Sequence, residues 1–161
     1  MRIAVLSPVW FAVPPSGYGG IEWIVSLLAD GLVDAGHDVT IFASGDSRTK
    51  AQLDYVFEEA PSEQIGRSLP ELRHALACFD RAGDFDVIND HSGPSTIPLG
   101  GLVQTPVLHT VHGPLDGDPG RVYASLGQLA PNVGLISISL NQRLPKPELN
   151  WAGNCPNALD L

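Results

Sequence analysis

The residues able to do chemistry gather in short polar clusters, each behind an apolar run: Gly17-Tyr18-Gly19-Gly20, Ser44-Gly45-Asp46-Ser47, Asp90-His91 and His112-Gly113. Glycines let the backbone approach a ligand, and the first-turn N–H groups of a helix starting behind them favour an anion. That loop is therefore either a phosphate or sugar cradle or simply a tight turn. Asp46 either meets a ribose or sugar hydroxyl or closes an Asx-turn, the commoner use of Asp in such a cluster. An imidazole at a strand exit can hydrogen-bond a ligand or carry a proton. Within Thr105 to Gly113, alternation puts His109 and Val111 on one face and Thr110 and His112 on the other. His109 thus reads as a core histidine with satisfied nitrogens, and His112 as the functional one. Cys78 and Cys155 lie far apart in the chain. They have neither the pattern of a disulfide framework nor a metal-ligand spacing, so reduced thiols and no metal are expected.

These clusters need elements to hold them. Arg2 to Ser7 is apolar and β-branched without clean alternation, as befits a strand covered on both faces. The Pro- and Gly-rich stretch from Pro8 to Gly20 follows, and from Ile21 the spacing of Ile24, Val25, Leu28 and Leu32 predicts a helix ending at Gly36. Val39 to Ala43 is a second buried strand, completing a strand, loop, helix, strand unit. Thr49 to Glu59 is ambiguous; the alternation of Leu53, Tyr55 and Phe57 favours a strand over a helix. Leu69, Leu72, Leu76 and Phe79, with Ala75 and Ala82, predict a helix, in which Cys78 is a packing residue. Asp84 to His91 reads as a strand, Ser95 to Leu102 as a weak helix, and Thr105 to His112 as another strand. A helix over Pro119 to Leu129 and a strand over Val133 to Ser139 follow. Residues 140–161, rich in Pro and Asn, read as a linker. Alternating strands and helices predict an α/β fold, a doubly wound, Rossmann-like parallel sheet whose strand exits share one edge. One crevice then collects the Gly-rich loop, two histidines and two carboxylates.

Length and composition narrow the partners. At 161 residues, with 43% hydrophobic and 17% charged residues, the chain suits one globular domain. Its formal net charge of −9 argues against nucleic acid and gives no attraction to an anionic membrane. There is neither a leader-like start nor an apolar run long enough for a membrane segment, so a cytoplasmic protein with small-molecule partners is expected. A nicotinamide-type reading is disfavoured. Gly17 comes too far behind the first strand, and Glu22 stands where the fingerprint wants its third glycine.

With these residues in place, the chain resembles the retaining, nucleotide-sugar-dependent glycosyltransferases of family 4, specifically the N-terminal half of their two-domain GT-B fold. The resemblance is carried by Arg2-Ile3-Ala4, by Pro14-Pro15-Ser16-Gly17-Tyr18-Gly19-Gly20-Ile21-Glu22 and by Gly36 to Ser47. Further matches are Phe85 to His91, Thr110-Val111-His112-Gly113, Ser137-Ile138-Ser139 and Leu149-Asn150-Trp151. Pro156-Asn157-Ala158-Leu159-Asp160 is similar to the family's Asn-Gly-Ile-Asp segment at the interdomain crossing, with Ala158 in place of Gly.

The resemblance implies a Rossmann-like acceptor-side domain over residues 1–140, the start of an interdomain linker over 141–161, and a C-terminal donor-binding domain outside this chain. It implies a sugar donor of the UDP-, GDP- or ADP-sugar kind and no cofactor. Gly19 and Gly20 would approach the donor's diphosphate or sugar, and His112 would lie beside the transferred sugar as the catalytic residue. Asp90, His91, Gly113 and Asp46 would line the acceptor side. Two alternatives use the same alternation of elements: a non-catalytic nucleotide- or sugar-binding module of Rossmann-like fold, and a flavodoxin-like or receiver-type domain with Asp90 as its phosphoacceptor.

Overall fold

The computed structural model describes residues 1–158. Seven strands form one sheet: β1 (Arg2–Leu6), β2 (Asp38–Phe42), β3 (Gln52–Asp54), β4 (Val87–Asp90), β5 (Val107–Val111), β6 (Val133–Ser137) and β7 (Trp151–Asn154). Their order is β3-β2-β1-β4-β5-β6-β7, and every neighbouring pair is parallel. Three helices cover the sheet: α1 (Gly20–Asp34), α2 (Ser68–Asp80) and α3 (Gly117–Leu129). The chain runs outward from β1 to β3 and then returns to lay β4 on the other side of β1. That reversal opens a crevice beyond the carboxyl ends of β1 and β4, where ligands bind in sheets of this kind.

β1 shows why the sequence lacks alternation there. Ala4 and Leu6 pack beneath α2 and α3 with Phe42, Ile88, Val107, Val111, Phe79 and Leu126. Ile3 and Val5 pack on the opposite face with Val39, Ile41 and the α1 residues Val25 and Ala29. Both faces exclude water, so each residue is apolar. Leu6, fully buried, is a position where truncation to Ala costs about 2–5 kcal/mol. α1 ends as expected: Gly36 takes φ 85°, and the Gly36 and His37 N–H groups donate to the Val33 and Leu32 carbonyls at 2.9 and 3.0 Å. This is the left-handed C-terminal stop that glycine allows without strain.

Three expectations are corrected. The α2 stripe is rotated: Leu69 and Leu76 are exposed, and the buried line is Pro70, His74, Ala75, Cys78 and Phe79. His74 turns inward because its Nε2–H donates to the Ser7 carbonyl at 3.1 Å. The strand favoured within Thr49 to Glu59 is present as the short β3, whereas the helix expected over Ser95 to Leu102 is a 3-10 turn over Ile97–Leu102.

The stretch read as a linker holds the third difference, since β7 lies within it and the sheet runs on past residue 140 to Asn154. Leu149 and Trp151 pack against the core. The Asn150 amide donates to the Val133 carbonyl at 2.9 Å, and the Trp151 indole N–H donates to the Lys146 carbonyl at 3.0 Å. β7 is an edge strand, half-buried only at alternate residues, so it needs little apolar sequence. Leu159 and Asp160, part of the crossing-like segment, lie outside the described residues.

Candidate functional site

Alternation along β4 and β5 sorts the polar residues of the crevice into two layers. Ile88 and Asp90 face the core beneath α2 and α3, while Asn89 and His91 face the other side. In register, Asp90 pairs with His109 on the neighbouring strand. Adjacent residues Asp90 and His91 thus serve opposite faces.

The inner layer is closed. The His109 Nδ1–H donates to Asp90 Oδ2 at 2.9 Å, and His109 Nε2 lies 3.0 Å from the Tyr123 hydroxyl of α3. Asp90 Oδ1 accepts from the Ser92 N–H at 2.8 Å and the Ser92 hydroxyl at 2.6 Å. Burial alone would raise the Asp90 carboxyl, but His109 and the two Ser92 donors outweigh it and hold the group below its ordinary value. Burial likewise pushes the Tyr123 hydroxyl well above its usual range. Every donor has an acceptor, the condition under which a buried polar network is tolerated. Asp90 is fully buried, so it does not line the crevice and instead anchors the strand exits from beneath.

The outer layer reaches solvent. His112 follows β5 directly, and its Nε2 lies 2.9 Å from His91 Nδ1, the ring centroids 5.2 Å apart. His91 is buried. His112 is half-buried, and its Nδ1 stays open to solvent with no partner among the described residues. Burial, then the neighbouring histidines, lower His91 to about 3 and His112 to about 4. Both rings are therefore neutral near pH 7.

The turn carrying His112 is clamped by a residue that the sequence reading passed over. Gln142 Nε2 donates to the carbonyls of Val111 and Gly113, both at 2.8 Å, one on each side of His112. Its Oε1 accepts from the Ile138 N–H at 2.9 Å. Gln142 lies in the 3-10 turn Asn141–Arg143, inside the Pro- and Asn-rich stretch, and no motif marks it. Glu71 of α2 does the same for the β4 exit, accepting from the Gly93 N–H at 3.0 Å and from the Ser95 hydroxyl.

The two candidate glycines of the loop behind β1 differ. Gly19, at φ 144°, caps α1, and a Cβ there would sit 2.8 Å from Pro15 Cβ and Cγ. Gly20 is exposed and faces open space. Glu22, buried in the first turn, keeps its carboxyl near its own N–H, and burial raises it above its ordinary value. The loop is tied to β2: the Val13 N–H donates to Ser47 Oγ at 2.9 Å, and the Arg48 N–H to the Val13 carbonyl at 2.7 Å. The Ser47 N–H closes the 44–47 turn on the Ser44 carbonyl at 3.0 Å. Asp46 is exposed and takes no part in that turn. It opens with Phe11, Gly17, Tyr18 and Glu59 onto a shallow cavity of about 300 Å³. Among the described residues no three metal-ligating side chains converge, and no helix is long and apolar enough to cross a membrane.

Known proteins share the family and the fold. The model of Glycosyltransferase Family 4 matches residues 18–143. A phosphatidyl-myo-inositol mannosyltransferase of Mycolicibacterium smegmatis is 32% identical over 123 residues, covering 70% of this chain and 31% of that protein. The crystal structure of AviGT4, a glycosyltransferase involved in avilamycin A biosynthesis, matches with TM-score 0.61 and 26% identity over 99% of this chain and 42% of its own. MurG of Acinetobacter baumannii shares the fold, with TM-score 0.57 and 11% identity over 99% of this chain and 46% of its own. This chain therefore spans less than half the length of each. With the family model covering most of its length, and with a Rossmann-like sheet shared with AviGT4, the chain belongs to glycosyltransferase family 4.

Proposed function

We propose that this chain is the acceptor-side half of a retaining glycosyltransferase that moves a hexosyl group from a nucleotide sugar to an acceptor hydroxyl. A second α/β domain beyond this chain binds most of the UDP-, GDP- or ADP-sugar donor, and the crevice described above takes the acceptor. The reaction belongs to the cytoplasm, and this chain alone does not turn over. Because one relative is named a mannosyltransferase, mannose is the first hexose to test.

The observation that carries the reading is His112, a neutral half-buried ring framed by His91 and Gln142 at the exit of β5. With its value lowered to about 4, the ring is a neutral imidazole near pH 7 and does not act as a general acid. Its contribution is a directed hydrogen bond to a sugar or phosphate oxygen. In a front-face displacement the departing phosphate oxygen takes the acceptor hydroxyl proton, so no general base is required of this chain. Gly20 leaves room at the start of α1 for the donor's diphosphate or sugar. Asp46 and Gly113 contact acceptor hydroxyls, and Asp90 braces the β4 exit and β5 from beneath through Ser92 and His109.

The test is steady-state transfer by the full-length protein with a panel of nucleotide sugars and acceptors, with the product's anomeric configuration read by NMR. The expected product keeps the donor's configuration, and His112→Ala loses transfer while staying folded. An inverted product overturns the retaining assignment. Nucleotide-sugar binding without transfer would favour the binding-module alternative.

A further inference from the structure

The His91–His112 contact constrains where a proton sits. Both rings are neutral near pH 7, so each carries one proton on one of two nitrogens. Nδ1 of His91 and Nε2 of His112, 2.9 Å apart, form a hydrogen bond only if one carries its proton and the other does not.

Two arrangements satisfy that condition, and the far side of His91 distinguishes them. His91 Nε2 is buried with no partner among the described residues, and the ring borders a groove lined mostly by apolar side chains, Ile24, Leu28, Leu108 and Ile136, with the polar Asn89 and Thr110 beside it. If His112 Nε2 were the donor, the His91 proton would move to its own Nε2, a buried N–H with no acceptor within hydrogen-bond reach among the described residues; even the Asn89 Oδ1 of the same groove is not bonded to it. If His91 Nδ1 is the donor, that Nε2 carries only a lone pair. A buried N–H left without an acceptor is the rarer and costlier state in folded proteins.

We infer that His91 is a positioning residue that donates from Nδ1 to His112 Nε2, fixing His112 as the Nδ1–H tautomer so that it faces the crevice as a donor. His112 then has no bare nitrogen toward the ligand. It can hold a sugar or phosphate oxygen but cannot take a proton from an acceptor hydroxyl. The role toward sugar rests on the function proposed above, whereas the proton's location does not.

The decisive measurement is ring ¹⁵N NMR of the full-length protein with ¹⁵N-labelled histidine at pH 7, without substrate. The expected spectrum shows His112 protonated at Nδ1 and bare at Nε2, with His91 also protonated at Nδ1. A proton on His112 Nε2 overturns the inference, whether or not the protein transfers sugar. Kinetics give a second arm. His91→Leu should mix the two His112 tautomers and lower kcat by on the order of tenfold to a hundredfold with a smaller change in KM. His91→Asn, whose amide can donate from near the Nδ1 position, should recover most of that loss. Equal defects in the Leu and Asn variants would overturn the positioning role. If the Leu variant folds poorly, the wild-type spectrum and the Asn variant still decide. The expected spectrum combined with no transfer from any nucleotide sugar would overturn the proposed function and leave the tautomer assignment standing.

Discussion

At the scale of single residues, the polar groups at the β4 and β5 exits divide into a closed layer beneath the helices and an open layer that reaches solvent. His112 belongs to the open layer. His112→Ala should remove a hydrogen bond made chiefly in the transition state, a loss on the order of 2–4 kcal/mol, about a hundredfold or more in rate. Its melting temperature should change little. Asp90 and His109 belong to the closed layer. His109→Ala leaves the Asp90 carboxylate buried without its main partner, which typically costs about 3–5 kcal/mol. The rate per folded molecule should be retained. Kinetics and melting curves on the two variants separate the layers, and a reversal of the two patterns would mean that the faces of β5 are assigned the wrong way round. The sequence did reveal that His109 points inward, because alternation within a strand is visible in it. It did not reveal that Asp90 points inward as well. The pairing of Asp90 with His109 depends on the register between β4 and β5, and register across a crossover leaves no local trace.

At the scale of elements, the loop before α1 separates two uses of glycine that a sequence cannot tell apart. Gly19→Ala meets both a positive φ and the Pro15 ring, and should cost on the order of 1–3 kcal/mol of stability. Gly20→Ala meets open space at the first turn of a helix, where Ala is the better helix former. It should melt at the same temperature or higher. Gly20→Val in the full-length protein should fold yet transfer sugar poorly if the backbone there approaches the ligand; unchanged transfer would return the loop to a purely structural role. Gln142→Leu strands the Val111 and Gly113 carbonyls and the Ile138 N–H. It should lower stability by about 1–3 kcal/mol and lower kcat more than it raises KM, which steady-state kinetics will show. The long buried strands and the Gly36 stop were legible because each is specified by its own residues. β7 and the Gln142 clamp were not. A four-residue edge strand carries little apolar signal, and a side-chain amide that reaches carbonyls some thirty positions away has no signature in the residues around it.

At the scale of the whole molecule, the buried neutral histidines link stability to pH. Burial lowers His74 to about 4 and His91 to about 3, and His112 falls to about 4, from the ordinary 6.5. Between those folded values and 6.5 the unfolded chain binds more protons than the folded one. Stability is therefore full above 6.5 and falls as the pH drops toward 4. His74 alone accounts for on the order of 3 kcal/mol by pH 4. Melting temperature measured from pH 7 to pH 4 should decline steadily, and His74→Gln, which can still donate to the Ser7 carbonyl, should flatten the curve. A flat wild-type profile would contradict the burial of these rings. Because every strand is parallel, the sheet also has a chemical direction. His91 and His112 follow the carboxyl ends of β4 and β5, and His74 reaches Ser7 at the end of β1. The ion pairs Arg2–Asp86 and Arg81–Asp84 lie at the amino ends of β1 and β4. Acid therefore acts chiefly at the carboxyl edge of the sheet, where His74, His91 and His112 gather, while ionic strength acts on these two pairs at the amino edge.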